Sequence, residues 1–318
     1  MFGFHGVRVV AIAGLTLAAA CFGIASAAPL ASAPAAVVSF ESGTLHVDVY
    51  GHGPRSVVLI PGLASGPWSW YGTIDALLAG DGSGRYTIYS LTLPGFDGRP
   101  PSEKTPLFDT FASDFWALLA AKNISKPVVV GHSLGGTLAI ALAEEHPERL
   151  AGIVAVDGLP VFPGLANATP AQGQAVAQQI YATFAGLDAA GELSAERTYM
   201  ASVATNQPAL VDEMAADAAR SDAKSIGEWA SEDALTDLRP ALNRITIPFL
   251  EIMPYNPPDA VPPTNYTQAQ TQAFYESLLA GAPTARVLAI APSRHFVMLD
   301  RPDAFDTALT QFLTSVNY

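Results

Sequence analysis

The chain has 318 residues, of which 50% are hydrophobic and 14% charged, with a formal net charge of -13. That length buries a large core as one α/β domain with an insertion. The acidity argues against nucleic acid as a partner, because basic patches supply most of that affinity. It also disfavours an anionic membrane surface.

Residues 1–28 stand apart. Arg8 is the only formal charge before Glu41, and an apolar run from Val9 to Ile24 follows it. The run ends in Ala25-Ser26-Ala27, the small-x-small pattern of signal-peptidase cleavage. It is almost long enough to span a bilayer. Its small-residue end nonetheless favours a signal peptide cut after Ala27 or Ala28. The expectation is an exported chain, periplasmic or extracellular, with no stable membrane insertion after cleavage. Cys21, the one cysteine, lies in this segment. In Leu17-Ala-Ala-Ala-Cys21 the large apolar residue stands one place too far upstream for a lipoprotein signal, so lipid anchoring is the lesser expectation. Cleavage would leave no thiol for a disulfide or a cysteine metal site.

Residues 29–36 are Ala, Pro, Ser and Leu and read as a loose N-terminus. Thr44-Leu-His-Val-Asp-Val-Tyr50 then alternates as a half-buried strand does, and Gly51-His-Gly-Pro54 is a turn. Val57-Val-Leu-Ile60 is a short continuous apolar run, the mark of a strand buried on both faces of a parallel sheet. Tyr86 to Leu93, Pro127 to Val130, Ile153 to Val156, Phe249 to Ile252 and Val287 to Ile290 are of the same kind. Helical stretches such as Phe111 to Ala121 and Leu134 to Glu145 lie between them. Strands alternating with helices predict an α/β fold with a mostly parallel central sheet flanked by helices.

One stretch breaks the rhythm. Residues 160–239 are rich in Ala, Gln, Asp and Glu and hold no buried-strand pattern. Tyr181, Phe184, Leu187, Tyr199 and Met200 recur there at roughly helical spacing. Pro160, Pro163 and Pro170 open the stretch and Pro240 lies just past it. It reads as a helical cap or lid inserted into a core of residues 29–159 and 240–318. Its apolar stripe is expected to pack against that core rather than hold a cofactor.

The strongest chemical signal is Gly131-His132-Ser133-Leu134-Gly135-Gly136. It follows the Val128–Val130 strand and precedes an Ala/Leu-rich helix, which is the context of a nucleophile elbow. A serine on such a turn is pushed into the open, and its crowded backbone requires small neighbours on either side. The new helix also aims its amide dipoles at the site, favouring negative charge. The alternative is a structural serine in a glycine-rich turn. The strand and helix around the motif argue for a nucleophile.

A hydrolytic serine needs a base, and the chain has 6 histidines. His5 falls in the leader. His46 and His52 lie near the N-terminal hairpin, at the wrong end of the sheet order. The His132 side chain should point away from its neighbour Ser133. His146 ends the elbow helix. His295 remains, in Ser293-Arg-His-Phe-Val-Met-Leu-Asp300, just past the last strand, where the third member belongs in the order Ser…Asp…His.

With these motifs the chain resembles the α/β-hydrolase superfamily from about residue 40 to 316. The matching pieces are Leu59-Ile-Pro-Gly-Leu63, Leu93-Pro-Gly-Phe96, Gly131-His-Ser-Leu-Gly-Gly136, His146-Pro-Glu-Arg-Leu150 and His295-Phe-Val-Met. It is similar to a bacterial group of lidded, esterase-like hydrolases through Val156-Asp157-Gly-Leu-Pro160 and Thr236-Asp-Leu-Arg-Pro-Ala-Leu242. The resemblance implies a Ser-His-Asp triad, with two places for the acid. Many members carry it after the strand before the histidine strand, and Asp259 lies there beyond a proline-rich run. A rarer arrangement puts it after the strand following the elbow helix, where Asp157 stands. Asp157 is the favoured acid and Asp259 the alternative; Asp157 could instead be only a turn residue. The oxyanion hole needs two backbone N–H groups, expected from Leu134 and from Leu63, where Pro61-Gly62-Leu63 replaces the usual His-Gly-x. Trp68, Trp70 and Tyr71 either wall an acyl pocket or pack.

The expected chemistry is acyl transfer through Ser133, His295 and Asp157 on a small-molecule ester or related acyl substrate. Lactone, amide and C–C bond hydrolysis, as well as cofactor-free perhydrolysis, use the same machinery. A serine nucleophile argues against the dehalogenase and epoxide hydrolase branches. A non-catalytic binding protein on this fold is the rival from another class. No cofactor and no metal are implied, since no GxxxxGK[ST], HExxH or CxxC is present.

Overall fold

The apolar runs assemble into one sheet. The computed structural model describes residues 29–259 and 266–318. The leader expected over 1–28 lies outside the described residues. Among these the sheet has eight strands: β1 Val38–Ser42, β2 Leu45–Gly51, β3 Arg55–Ile60, β4 Tyr86–Thr92, β5 Val128–His132, β6 Gly152–Val156, β7 Phe249–Pro254 and β8 Ala285–Ile290. Their spatial order is β1-β2-β4-β3-β5-β6-β7-β8. The β1–β2 and β2–β4 pairs are antiparallel and the rest are parallel. Central β5 and β6 are buried from end to end, because helices cover both faces of a parallel sheet. Strand β2 alternates buried and half-buried side chains. Edge strand β1 was not anticipated from the sequence. Its side chains are mostly exposed, so it carries no burial pattern and owes its place to its ladder with β2.

The longer helices are α1 Tyr71–Leu78, α2 Leu107–Ala121, α3 Leu134–Glu145, α4 Pro170–Ala185, α5 Ala189–Tyr199, α6 Val211–Ala218, α7 Ala223–Leu235, α8 Gln268–Leu278 and α9 Pro302–Ser315. Helices α4 to α7 all lie between β6 and β7. Their starts follow from local chemistry. Thr169 and Gln172 form a reciprocal capping box at α4. Asp188 caps α5 through the Gly191 amide at 2.8 Å, and Asp222 caps α7 through Ser225 at 2.8 Å.

This helical segment is tied to the core by α7. Trp229 is buried, with ring centroids 6.2 Å from Phe96 and 6.0 Å from Phe108. Its Nε1–H donates to the Pro94 carbonyl at 3.2 Å. Glu232 accepts from the Leu107 and Phe108 amides at 2.7 and 2.8 Å, placing a carboxylate at the N-terminus of α2. Helix α4 packs along α7. Among the described residues no helix is long and apolar enough to cross a membrane. The parallel strands bring the turns after β3, β5, β6 and β8 to one edge, where ligands of open α/β sheets collect.

Candidate active site

Ser133 joins β5 to α3 with φ 52° and ψ −121°, a backbone conformation that a non-glycine residue keeps only when its surroundings enforce it. Its amide donates to the Val156 carbonyl at 2.9 Å, and its own carbonyl accepts from Gly136 at 2.8 Å and Thr137 at 3.0 Å. The turn leaves no room beside it. A Cβ on Gly131 would sit 2.0 Å from the Gly135 oxygen, and one on Gly135 would sit 2.4 Å from the Ile60 oxygen. Both obstacles are backbone and cannot rotate aside. We predict that Gly131→Ala destabilises the chain by about 3 kcal/mol or more, the upper range of overpacking costs. A loss below about 1 kcal/mol in urea unfolding would show that the turn has slack.

The histidine after β8 meets an acid after β6. His295 Nδ1 lies 2.5 Å from Asp157 Oδ2, and each side chain is 15% exposed. Asp157 follows β6 directly with φ 51°, its amide donating to Ile252 at 2.9 Å. Its other oxygen, Oδ1, accepts from the Tyr275 hydroxyl of α8. Asp259 takes no part in this contact. Its two oxygens accept from Arg294 Nε and Nη2, each at 2.7 Å, and Asn256 adds a bond of 2.8 Å. The Arg294 bonds hold the Asp259 carboxyl below the usual carboxylate range.

Neighbouring groups fix the histidine loop. Asp300 accepts from the Arg294 amide at 2.7 Å and the Asn206 amide at 3.1 Å, and the Phe296 amide donates to Ala204 at 2.8 Å. The His132 ring does not turn clear of the site as its neighbouring position suggested. It is buried with its centroid 4.5 Å from that of His295, and its Nε2 lies 3.0 Å from the His295 carbonyl oxygen. A carbonyl only accepts, so His132 carries its proton on Nε2. Burial, and then the His295 charge, lower its pKa well below the ordinary value, so His132 is neutral. Glu251 of β7 is fully buried near Asp157. Burial first and the Asp157 charge second push its carboxyl well above the usual range.

Ser133 and His295 line one cavity of about 620 Å³, together with Leu63 and Leu134. No direct hydrogen bond links Ser133 Oγ to the imidazole; such bonds often tighten only with substrate present. Leu134 opens α3, and neither its amide nor that of Leu63 donates to a protein acceptor among the described residues. The loop carrying Leu63 runs tight against the serine, since a Cβ on Gly62 would lie 3.2 Å from Ser133 Cβ. From the helical segment, Ile180, Phe184 and Tyr199 face the cavity. Tyr181 does not line it and is exposed, one position round the helix from Ile180. Trp68 and Trp70 are buried packing residues, Trp68 stacking on Phe296 at 5.7 Å and Trp70 lying 6.2 Å from Phe305. Tyr275, Glu251 and the His132 contact were not singled out from the sequence. A lone acid within Phe249-Leu-Glu251-Ile252 was the one visible signal.

The sheet order, the strained serine turn after β5 and the histidine loop after β8 together make up the α/β-hydrolase plan. The chain belongs to the alpha/beta hydrolase family, whose family model matches residues 57–308. It is similar to pimeloyl-[acyl-carrier protein] methyl ester esterase of Aeromonas hydrophila, 22% identical over 85% of this chain and 99% of that one. It is also similar to esterase YbfF of Escherichia coli, 24% identical over 82% of this chain and 94% of that one. Among solved structures, the enol-lactonase from Burkholderia xenovorans LB400 matches with a TM-score of 0.69 at 19% identity. That match covers 85% of this chain and 96% of the other and reflects the shared fold.

Proposed function

We propose that this protein is an exported serine hydrolase that cleaves carboxylic esters through an acyl-enzyme. The observation that carries the reading is the strained Ser133 turn, opening into the same cavity as a histidine whose Nδ1 is bonded to Asp157. Asp157 holds the Nδ1 proton and leaves Nε2 as the base. His295 takes the Ser133 proton as Oγ attacks the ester carbonyl. The Leu63 and Leu134 amides hold the oxyanion. The tetrahedral adduct collapses, the protonated imidazole passes its proton to the leaving alcohol, and water activated by His295 releases the acid and frees the serine. The esterase names of relatives support an ester substrate, and the composition of residues 1–28 supports export.

The test is a panel of p-nitrophenyl esters, lactones and aminoacyl amides given to the purified chain, together with a fluorophosphonate probe. Esters should be the best substrates and the probe should label Ser133. No labelling would leave a binding protein on this fold, and a lactone or amide preference would replace the ester reading.

The helical segment 160–239 acts as a lid in this reading. Phe184 reaches the cavity from α4 and Tyr181 does not, so of these two only Phe184 is expected to affect chain length. Phe184→Ala should change the octanoate-to-acetate ratio of kcat/KM by about tenfold, the scale set by a few methylenes of pocket contact. Parallel changes for acetate and octanoate would make the segment scaffold only.

A further inference from the structure

The charge on the wall of the Ser133 cavity is one-sided. Beyond the Asp157–His295 pair, its carboxyl groups are Glu196 of α5 and Asp233 of α7. No lysine or arginine lines it among the described residues. Arg294, next to His295 in sequence, commits its guanidinium to Asp259 and to the carbonyls of Ala201 and Thr205. Much of the rest of the wall is apolar, with Ile180, Phe184, Leu159 and Val161.

Glu196 is buried. Burial pushes its carboxyl up to about 7, with the Glu192 charge adding to the effect. Burial does the same to Asp233, also up to about 7, opposed by Thr137 one turn along α3 from Ser133. At pH 8, above those values, both are mainly ionised, and among the described residues no lysine or arginine on the wall offsets them. A carboxylate entering this space would lose its hydration and meet like charge at close range. An uncharged chain loses nothing of that kind and gains apolar contact.

We propose that the cavity takes acyl groups without negative charge and rejects carboxylate-bearing ones, with Asp233 and Glu196 setting the discrimination. The proposal rests on the ester reading for the reaction it describes, and it names the substrate class of that same site.

The test compares p-nitrophenyl hexanoate with the p-nitrophenyl monoester of adipic acid at pH 8. The two have the same acyl length and differ in a terminal carboxylate. The native chain should favour hexanoate by about 100-fold in kcat/KM, a discrimination of the size that like-charge juxtaposition gives. In the double variant Asp233→Asn, Glu196→Gln the hexanoate-to-adipate ratio should fall by about tenfold or more. A native ratio within about threefold, or a ratio the variant leaves unmoved, would overturn the proposal. A second measurement needs neither turnover nor that variant: calorimetric binding of hexanamide and of adipamate to the Ser133→Ala chain. Hexanamide should bind at least about tenfold more tightly; equal affinity, or binding of neither, would overturn the charge selection. If no ester is turned over, the ester reading fails and the binding comparison alone decides this one.

Discussion

Ser133→Ala is expected to lower kcat for ester hydrolysis by roughly a millionfold, the loss typical of a triad nucleophile, while the chain keeps its fold. Ser133 carries the one hydroxyl at the elbow, on the wall of the cavity it shares with His295. Without it the imidazole has no nucleophile to activate, and the Leu63 and Leu134 amides have no adduct to stabilise. Ser133 is held in place by its backbone. Its amide bond to Val156 and its carbonyl bonds to Gly136 and Thr137 survive the substitution. Alanine meets the same strain at φ 52° as serine does. The measurement pairs p-nitrophenyl acetate turnover with thermal melting followed by circular dichroism. Retention of more than about a tenth of the activity, with an unchanged melt, would remove Ser133 from the mechanism.

The fold was legible because parallel strands buried on both faces must be apolar throughout. Val57 to Ile60 and Ile153 to Val156 therefore announced themselves as runs, whereas β1, exposed at the edge, carried no such mark. Ser133 was legible for a local reason. The turn it occupies demands Gly131 and Gly135, and those contacts lie within a few residues or in the adjoining strand end. The acid was legible only as a preference for Asp157 over Asp259, because both stand past strand ends. What separates them is distant in sequence: Arg294 takes both oxygens of Asp259, and Tyr275 takes one oxygen of Asp157. Ile180, Tyr181 and Phe184 share one apolar stretch of sequence. Only the docking of α4 on α7 decides that two of them face the cavity and one faces solvent.

The second large effect belongs to the acid. Asp157→Asn is expected to lower kcat by roughly a thousandfold or more, and Asp259→Asn by less than about tenfold. An amide at position 157 can sit in two ways. With its NH₂ toward His295 it forces the proton onto Nε2, and the imidazole cannot accept from Ser133. With its oxygen toward His295 and its NH₂ toward the Tyr275 hydroxyl, the tautomer is restored and every hydrogen bond is kept. That second arrangement still lacks the negative charge that stabilises the imidazolium formed as Ser133 attacks, so the loss remains large in either case. Asp259 differs because its partner is Arg294 and its side chain is 42% exposed. Its substitution loosens an ion pair of the kind worth up to about 1 kcal/mol. Arg294 also holds Ala201 and Thr205 through its other nitrogen at 2.9 and 3.0 Å, so the loop carrying His295 keeps an anchor. Asp259→Asn should therefore lower the melting temperature slightly, with kcat close to native. The two variants, assayed side by side on one ester with KM and kcat resolved, distinguish the roles. If Asp259→Asn carries the larger penalty, or Asp157→Asn loses less than about tenfold in kcat, Asp157 is a turn residue that only neighbours the histidine.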